Sequence, residues 1–254
     1  KRQPFGLKIT AERLKALMEN YGKKRNIYEI GGKIFDFNKK TYVMGILNVT
    51  PDSFSDGGKY CEYDRAMKRA EEIIGEGADI IDIGAESSKP GSKLLPKEIE
   101  LERIIPVVDG IKKNLDITIS IDTYKSEVAE ETLKLGAHII NDISGFNMDP
   151  NMAKIAAQYS AHVVLMHMRG NPENMQNAPK YNDVVEEVIT ELNMSIKMAE
   201  EHGIEKNKII IDPGIGYGKR VEDNVQIIRK LREFEFWGFP ILLLLMFTGI
   251  LGAI

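Results

Sequence analysis

The chain has 254 residues, with 34 Lys and Arg against 38 Asp and Glu, which gives a formal net charge of −4. This mildly acidic balance argues against a nucleic-acid-binding protein, which needs a basic face. Apolar residues make up 43% of the sequence, enough to form a globular core. The single cysteine, Cys61, excludes an intramolecular disulfide and a cysteine-based zinc site. We therefore expect a reducing compartment, the cytoplasm, with no secretory signal and no membrane partner.

Short apolar runs alternate with longer amphipathic segments along the chain. Two runs that flank Gly31 and Gly32 predict a β-hairpin over 27–30 and 33–37. The later runs are rich in Ile, Val and Leu, as is typical of strands buried on both faces of a parallel sheet. These predicted strands cover 42–47, 79–83, 117–121, 138–140, 162–166, 208–211 and 241–245. The predicted helices cover 62–75, 97–113, 125–135, 151–159, 181–202 and 221–236.

This alternation predicts an α/β protein built from right-handed βαβ units. The period favours a TIM (β/α)8 barrel in one domain, 1–254, that lacks its last helix and eighth strand; an open doubly wound sheet is the alternative. Residues 1–40 form an N-terminal extension whose hairpin would plug the bottom of the barrel. Residues 241–254 form an atypical apolar tail, in which a buried seventh strand is a simpler interpretation than a membrane anchor because Pro240 precedes it and glycines interrupt it.

Polar residues stand where the predicted strands end. In a barrel these ends surround one mouth, where catalysis takes place. Asp and Asn are also favoured at strand ends and helix caps for structural reasons, but six polar ends in one register favour a functional site. The six are Asn48, the segment 82–86, Asp122, the pair Asn141 and Asp142, His167 and Asp212.

The loop after the first strand reads Asn-Val-Thr-Pro-Asp-Ser-Phe-Ser-Asp-Gly-Gly at 48–58, and its oxygen atoms suit a hard cation such as Mg²⁺. This loop resembles the signature of the dihydropteroate synthases. Further segments are similar to that family's loops in the same order, so that the resemblance covers about residues 42–240. They are Asp-Ile-Gly-Ala-Glu-Ser-Ser-Lys-Pro-Gly at 82–91, Ser-Ile-Asp-Thr at 120–123, Ile-Asn-Asp-Ile at 140–143, Met-His-Met-Arg-Gly at 166–170 and Asp-Pro-Gly-Ile-Gly-Tyr-Gly-Lys at 212–219.

The resemblance implies a TIM barrel and a transferase of folate biosynthesis. In that reaction the amino group of p-aminobenzoate attacks 6-hydroxymethyl-7,8-dihydropterin diphosphate, and 7,8-dihydropteroate and pyrophosphate form with Mg²⁺. The two small molecules are then the expected partners, and the family resemblance also suggests a homodimer. We assign no catalytic residue, because an aromatic amine is already a competent nucleophile.

The resemblance also implies site residues. Asp122, Asn141 and Asp212 line the pterin pocket. The two carboxylates would accept hydrogen bonds from ring N–H groups, and the Asn141 amide could pair with an edge that carries both donors and acceptors. Asn48 is the metal-associated position. Ser88, Lys89 and Lys219 complete the predicted substrate-binding set; for Lys219, a charge at the pocket rim and a solvated surface cation remain alternatives. His167 is predicted to be a structural strand-end histidine.

The sequence departs from the family in two loops. Lys89 stands where the family usually has Arg, so the bidentate fork for phosphate is lost. Thr248 takes the place of the lysine in the family's Ser-Arg-Lys-Ser segment, and the family's Arg-x-His pair has no counterpart in these 254 residues. Two alternatives therefore stay open, an inactive truncated form and a non-catalytic pterin-binding paralogue. A methyltetrahydrofolate methyltransferase on a related barrel ranks lower.

Overall fold

The computed structural model describes residues 27–50, 59–87 and 91–244, together with residues 14, 15 and 18. The predictions for 51–58, for Ser88 and Lys89, and for the tail from residue 245 onward lie outside these described residues.

The N-terminal hairpin forms as predicted. Strand β1 (Ile27–Ile30) pairs antiparallel with β2 (Lys33–Asp36), with Ile27 opposite Asp36 and Ile30 opposite Lys33. Gly31 and Gly32 join them with φ of 59° and 77°. Two consecutive left-handed residues make the tight turn that matches the twist of paired strands, and glycine adopts them without a Cβ clash.

Six parallel strands form the main sheet, each hydrogen-bonded to the next in chain order. This order has no reversal point, which excludes the doubly wound alternative. The strands are β3 (Met44–Asn48), β4 (Ile80–Gly84), β5 (Thr118–Asp122), β6 (Ile139–Asp142), β7 (His162–Met166) and β8 (Ile209–Asp212). The helices that follow them are α1 (Lys59–Gly75), α2 (Lys97–Asn114), α3 (Ser126–Lys134), α4 (Met152–Gln158), α5 (Val184–Glu201) and α6 (Val221–Arg229).

The last predicted helix and the last predicted strand need correction. The predicted helix 221–236 ends at Arg229 and continues as a 3₁₀ helix, Leu231–Trp237. A 3₁₀ helix repeats every three residues, so Leu231 and Phe234 share one side, and Phe234 is fully buried. The predicted strand 241–245 is reduced to one parallel bridge between Ile211 and Ile241.

Two apolar layers cover the two faces of the sheet. Strand residues such as Ile81, Ile119 and Val163 pack outward against the helices. At the amino-terminal end of the strands, the hairpin residues Tyr28 and Phe35 pack against inward-facing residues: Ile80, Ile139, Val164 and Ile210. The hairpin therefore plugs the bottom of the barrel. No helix of the described segments is long and apolar enough to cross a membrane.

Candidate functional site

The register of the sheet brings the predicted site residues together. Asn48 lies opposite Gly84, Gly84 opposite Asp122, and Asp122 opposite Asn141. Neighbouring strands lie about 4.8 Å apart, so these four positions form a row across the carboxyl end of the sheet. Asp212 is the last residue of β8 at the same end. Asn48, Asp122, Asn141 and Asp212 therefore lie at one end of the sheet, as predicted, although 164 positions separate Asn48 from Asp212.

Asp122 is less satisfied than Asp212, the other carboxylate predicted to bind the pterin. A Cβ atom at Gly84 would lie 3.2 Å from Asp122 Oδ2, so the glycine makes room for the acid. Among the described residues, no group donates a hydrogen bond to the Asp122 side chain. Burial, and then repulsion from Asp82 and Glu100, raise its pKa well above the usual value. A ligand N–H donor would relieve this desolvation.

Asn141 is held from below by Asp82. Its Nδ2 donates to Asp82 Oδ2 at 2.9 Å. Asp82 is 6% exposed, and its Oδ1 accepts no hydrogen bond from the described residues. The sequence analysis placed Asp82 in the polar strand end 82–86 but assigned it no binding role, although an acid inside the apolar strand Ile-Ile-Asp-Ile-Gly was a usable signal.

Asp212 is buried at the far side of the mouth. Its Oδ1 accepts a hydrogen bond from the backbone N–H of Gly214 at 2.6 Å. Burial raises the pKa of Asp212 to about 7, against the opposing effects of that hydrogen bond and of the Lys219 charge. The carboxyl therefore changes its protonation state near neutral pH.

Lys219 is buried beneath the loop that follows β8, and the solvated alternative is wrong: the residue is 3% exposed. Its Nζ donates to the carbonyl oxygens of Gly214 at 2.8 Å and Tyr217 at 3.0 Å. Burial lowers the pKa of Lys219 to about 7. These contacts are internal, so the ammonium shapes the loop that presents Gly214 to Asp212.

His167 joins Lys219 to the protein surface. Lys219 Nζ lies 2.9 Å from His167 Nδ1, and His167 Nε2 lies 3.0 Å from Glu191 Oε2. Burial lowers the pKa of His167 to about 4, so the ring is neutral, accepts from the lysine and donates to Glu191. This arrangement agrees with the predicted structural role.

Asn141 and Asp142, the two polar residues of one predicted strand end, have different roles in the structure. Asp142 is fully buried and accepts hydrogen bonds from Ser144 N at 2.8 Å, Ser144 Oγ at 2.7 Å and Phe146 N at 3.0 Å. It therefore stabilises the turn that follows β6, whereas Asn141 beside it faces the inside of the barrel and contacts Asp82.

A buried ion cluster lies beside Asp122, and the sequence analysis pointed to only one member, Glu86, within the polar strand end 82–86. Lys125 bridges the carboxylates of Glu86 and Glu100. Glu86 Oε1 also accepts hydrogen bonds from Leu95 N and from the Tyr124 hydroxyl, both at 2.8 Å. The cluster therefore ties the segment after β4 to the end of β5. One signal was available, because Glu100 lies at helical spacing on the apolar stripe of α2 with Ile104, Val107, Val108 and Ile111.

Comparisons with known proteins agree with this geometry. The family model described as "Pterin binding enzyme" matches residues 44–245. The dihydropteroate synthase of Clostridium beijerinckii is 46% identical over 215 residues, covering 85% of this chain and 77% of the relative. That of Bacillus subtilis is 49% identical over 207 residues, covering 82% and 70%.

A solved structure leads to the same family. The crystal structure of a dihydropteroate synthase from Clostridium difficile in the presence of pteroic acid has a TM-score of 0.78 and 47% identity, covering 82% of this chain and 77% of that chain. This likeness confirms the predicted TIM-barrel fold class. On this fold, these identities and this extent of match, the chain belongs to the dihydropteroate synthases within the pterin-binding enzyme family.

Proposed function

We propose that the chain condenses 6-hydroxymethyl-7,8-dihydropterin diphosphate with p-aminobenzoate to give 7,8-dihydropteroate and pyrophosphate, a step of folate biosynthesis. The observation that carries the proposal is the row of Asn48, Asp122 and Asn141 across from Asp212, at the mouth where barrel enzymes hold their substrates. Membership of the dihydropteroate synthases supports it independently.

Asp122, Asn141 and Asp212 are the proposed pterin ligands. Asp122 accepts no hydrogen bond from the described residues and Asp212 accepts one, so both retain acceptor capacity for the N–H groups of a pterin ring. A hydrogen bond to a charged group contributes roughly 1.5–3 kcal/mol. Lys219 would act through the loop that it holds, by setting the position of Gly214 beside Asp212.

Mg²⁺ is the proposed cofactor, with Asn48 as its protein ligand. Among the described residues, no group of three or more His, Cys, Asp and Glu side chains could hold a metal ion. An amide oxygen is a hard oxygen ligand that Mg²⁺ accepts, and this ion keeps several waters and takes further ligands from substrate phosphates, so few protein ligands are needed. When bound, it would neutralise charge on the departing diphosphate. Ser88 and Lys89 are the proposed diphosphate contacts of the protein.

The protein's own contribution is mainly positioning. The aromatic amine needs little activation, so the residues at the mouth would hold the pterin, exclude water and align the methylene carbon with the amine. We further propose that the chain acts in the cytoplasm as a single-domain subunit of a homodimer.

A pyrophosphate-release assay with both substrates tests the proposal. We expect pyrophosphate release that requires p-aminobenzoate and Mg²⁺. We also expect the Asn48→Ala variant to need more Mg²⁺ than the unmodified chain for its half-maximal rate. Asp116→Asn, a change at an exposed acid between α2 and β5, is the matched control and should leave the rate unchanged. Pyrophosphate release that does not depend on p-aminobenzoate would contradict the transfer reaction.

A non-catalytic pterin-binding protein is the second candidate, and the sequence positions Lys89 and Thr248 favour it. It predicts binding of pteroic acid without pyrophosphate release. In that case a Thr248→Lys variant should gain activity if the missing ammonium is the cause.

A further inference from the structure

We propose that Asp82 is a positioning residue that orients the amide of Asn141, so that the carbonyl oxygen of Asn141 is the atom available to the pterin. This inference rests on the proposed function, because it explains why Asn141, a proposed pterin ligand, presents a hydrogen-bond acceptor to the pterin.

The two residues occupy successive layers inside the barrel. Asp82 lies opposite Ile46 and Ser120 in the register, two residues before Gly84 along β4. Asn141 lies in the row of Gly84 and Asp122, one layer closer to the mouth. Asp82 is thus directly below the predicted binding row and reaches it through a 2.9 Å hydrogen bond.

Burial raises the pKa of Asp82, and its contacts with Ser120 and Asn141 oppose that rise. While the Asp82 carboxylate is ionised, this hydrogen bond permits one amide orientation, because a carboxylate accepts and cannot donate and the NH₂ group of Asn141 therefore faces Asp82. Rotating the amide by about 180° would bring its oxygen against the carboxylate and leave both without a donor. In the observed orientation Asn141 Oδ1 has no hydrogen-bond partner among the described residues, and it is the atom left to accept from a ligand.

The surroundings of Asp82 argue against a purely structural role. Asp82 Oδ1 is buried without a partner among the described residues. A buried polar atom without a hydrogen bond destabilises the fold, so an apolar residue would suit stability better. A buried acid whose presence here opposes stability is characteristic of a functional site.

Calorimetry with pteroic acid tests the role of Asp82 on the full chain. Asp82→Asn can accept or donate, so both orientations of Asn141 become accessible, and we expect affinity to fall about tenfold. Asn141→Asp alone places two acids against each other and should weaken binding at least as much. The double variant Asp82→Asn with Asn141→Asp exchanges donor and acceptor and again leaves an oxygen for the ligand, so we expect affinity within about threefold of the unmodified chain.

Thr118→Val is the matched control, since Thr118 is a buried polar residue two positions before Ser120 on β5, lies opposite Ile80 and should not alter affinity. If Asp82→Asn binds pteroic acid as tightly as the unmodified chain, the positioning role is wrong, whatever happens to the melting temperature. If Asp82→Asn does not fold, the affinities of the double variant and of Asn141→Asp are compared instead. If both bind pteroic acid equally weakly, the positioning role is wrong. If the unmodified chain itself does not bind pteroic acid, the proposed function fails first.

Discussion

The two ends of the parallel sheet are built in opposite ways. At the bottom, aromatic rings pack closely: Phe35 and Tyr42 have ring centroids 4.8 Å apart, and Tyr28 and Phe37 5.7 Å apart. The buried Tyr28 hydroxyl at this end donates to the Ile209 carbonyl at 2.9 Å. At the mouth, buried carboxylates crowd together, and Asp122 has no donor among the described residues.

This difference separates stability from function. The bottom removes apolar surface from water, which stabilises the fold by roughly 25 cal/mol per Å² buried. The mouth holds desolvated acids close to one another, which opposes folding until a ligand supplies the missing donors. Substitutions at the bottom should therefore lower the stability of the fold and leave ligand affinity unchanged. Substitutions at the mouth should lower ligand affinity and leave stability unchanged.

The largest expected effect is the loss of the aromatic plug. Phe35→Ala removes a buried ring, and we expect the free energy of unfolding to fall by about 3–5 kcal/mol. Chemical denaturation monitored by circular dichroism measures this change. Ile34→Ala, at the exposed neighbour on the same strand, should stay within about 0.5 kcal/mol. Equal losses in the two variants would show that the hairpin does not act as a plug.

The reverse behaviour is expected at the mouth. Asp122→Asn removes the charged acceptor, so pteroic acid should bind at least about tenfold more weakly. The melting temperature should not fall, because the substitution also removes repulsion from Asp82 and Glu100. Calorimetry and thermal unfolding on the same preparation give both quantities. A large drop in melting temperature with unchanged affinity would reverse the assignment.

The pH dependence sharpens the comparison through Asp212. Its pKa rises from 3.8 to about 7 on folding, so its contribution to stability is fully present below 3.8 and is lost as the pH rises through about 7. Pterin binding should show the opposite trend, since the ionised carboxylate is the better acceptor. We expect pteroic acid affinity to rise between pH 6 and about 8 and then level off. Asp212→Asn should flatten this profile, and an unaltered profile in that variant would assign the titration to another group.

The smallest effect is expected at the exposed rim of the bottom. Lys40 Nζ and Asp79 Oδ1 form an ion pair at 2.8 Å, with the lysine side chain more than half exposed. Exposed pairs often make no measurable contribution to stability. We expect Lys40→Ala to leave both the melting temperature and pteroic acid affinity unchanged. A clear loss of stability would mean that charge, as well as aromatic packing, holds this end together.

Local patterns in the sequence were sufficient for most of the architecture. The spacing of apolar runs predicted the hairpin and the parallel strands, because each depends on periodicity and turn residues within a few positions. Their order was left open between a barrel and a doubly wound sheet, and the structure decided it. The same patterns placed Asn48, Asp122, Asn141 and Asp212 at strand ends, and the strand ends of a parallel barrel meet at one mouth.

Only the tertiary structure decided which side chains are partners. Asp82 and Asn141 stand 59 positions apart, and the register of three strands brings them to hydrogen-bond distance. Lys219 reads in the sequence as a charge after a glycine-rich loop, but the fold buries it between carbonyl oxygens. A side chain's partners, and therefore its protonation state, depend on atoms contributed by distant segments, and no local pattern encodes those contacts.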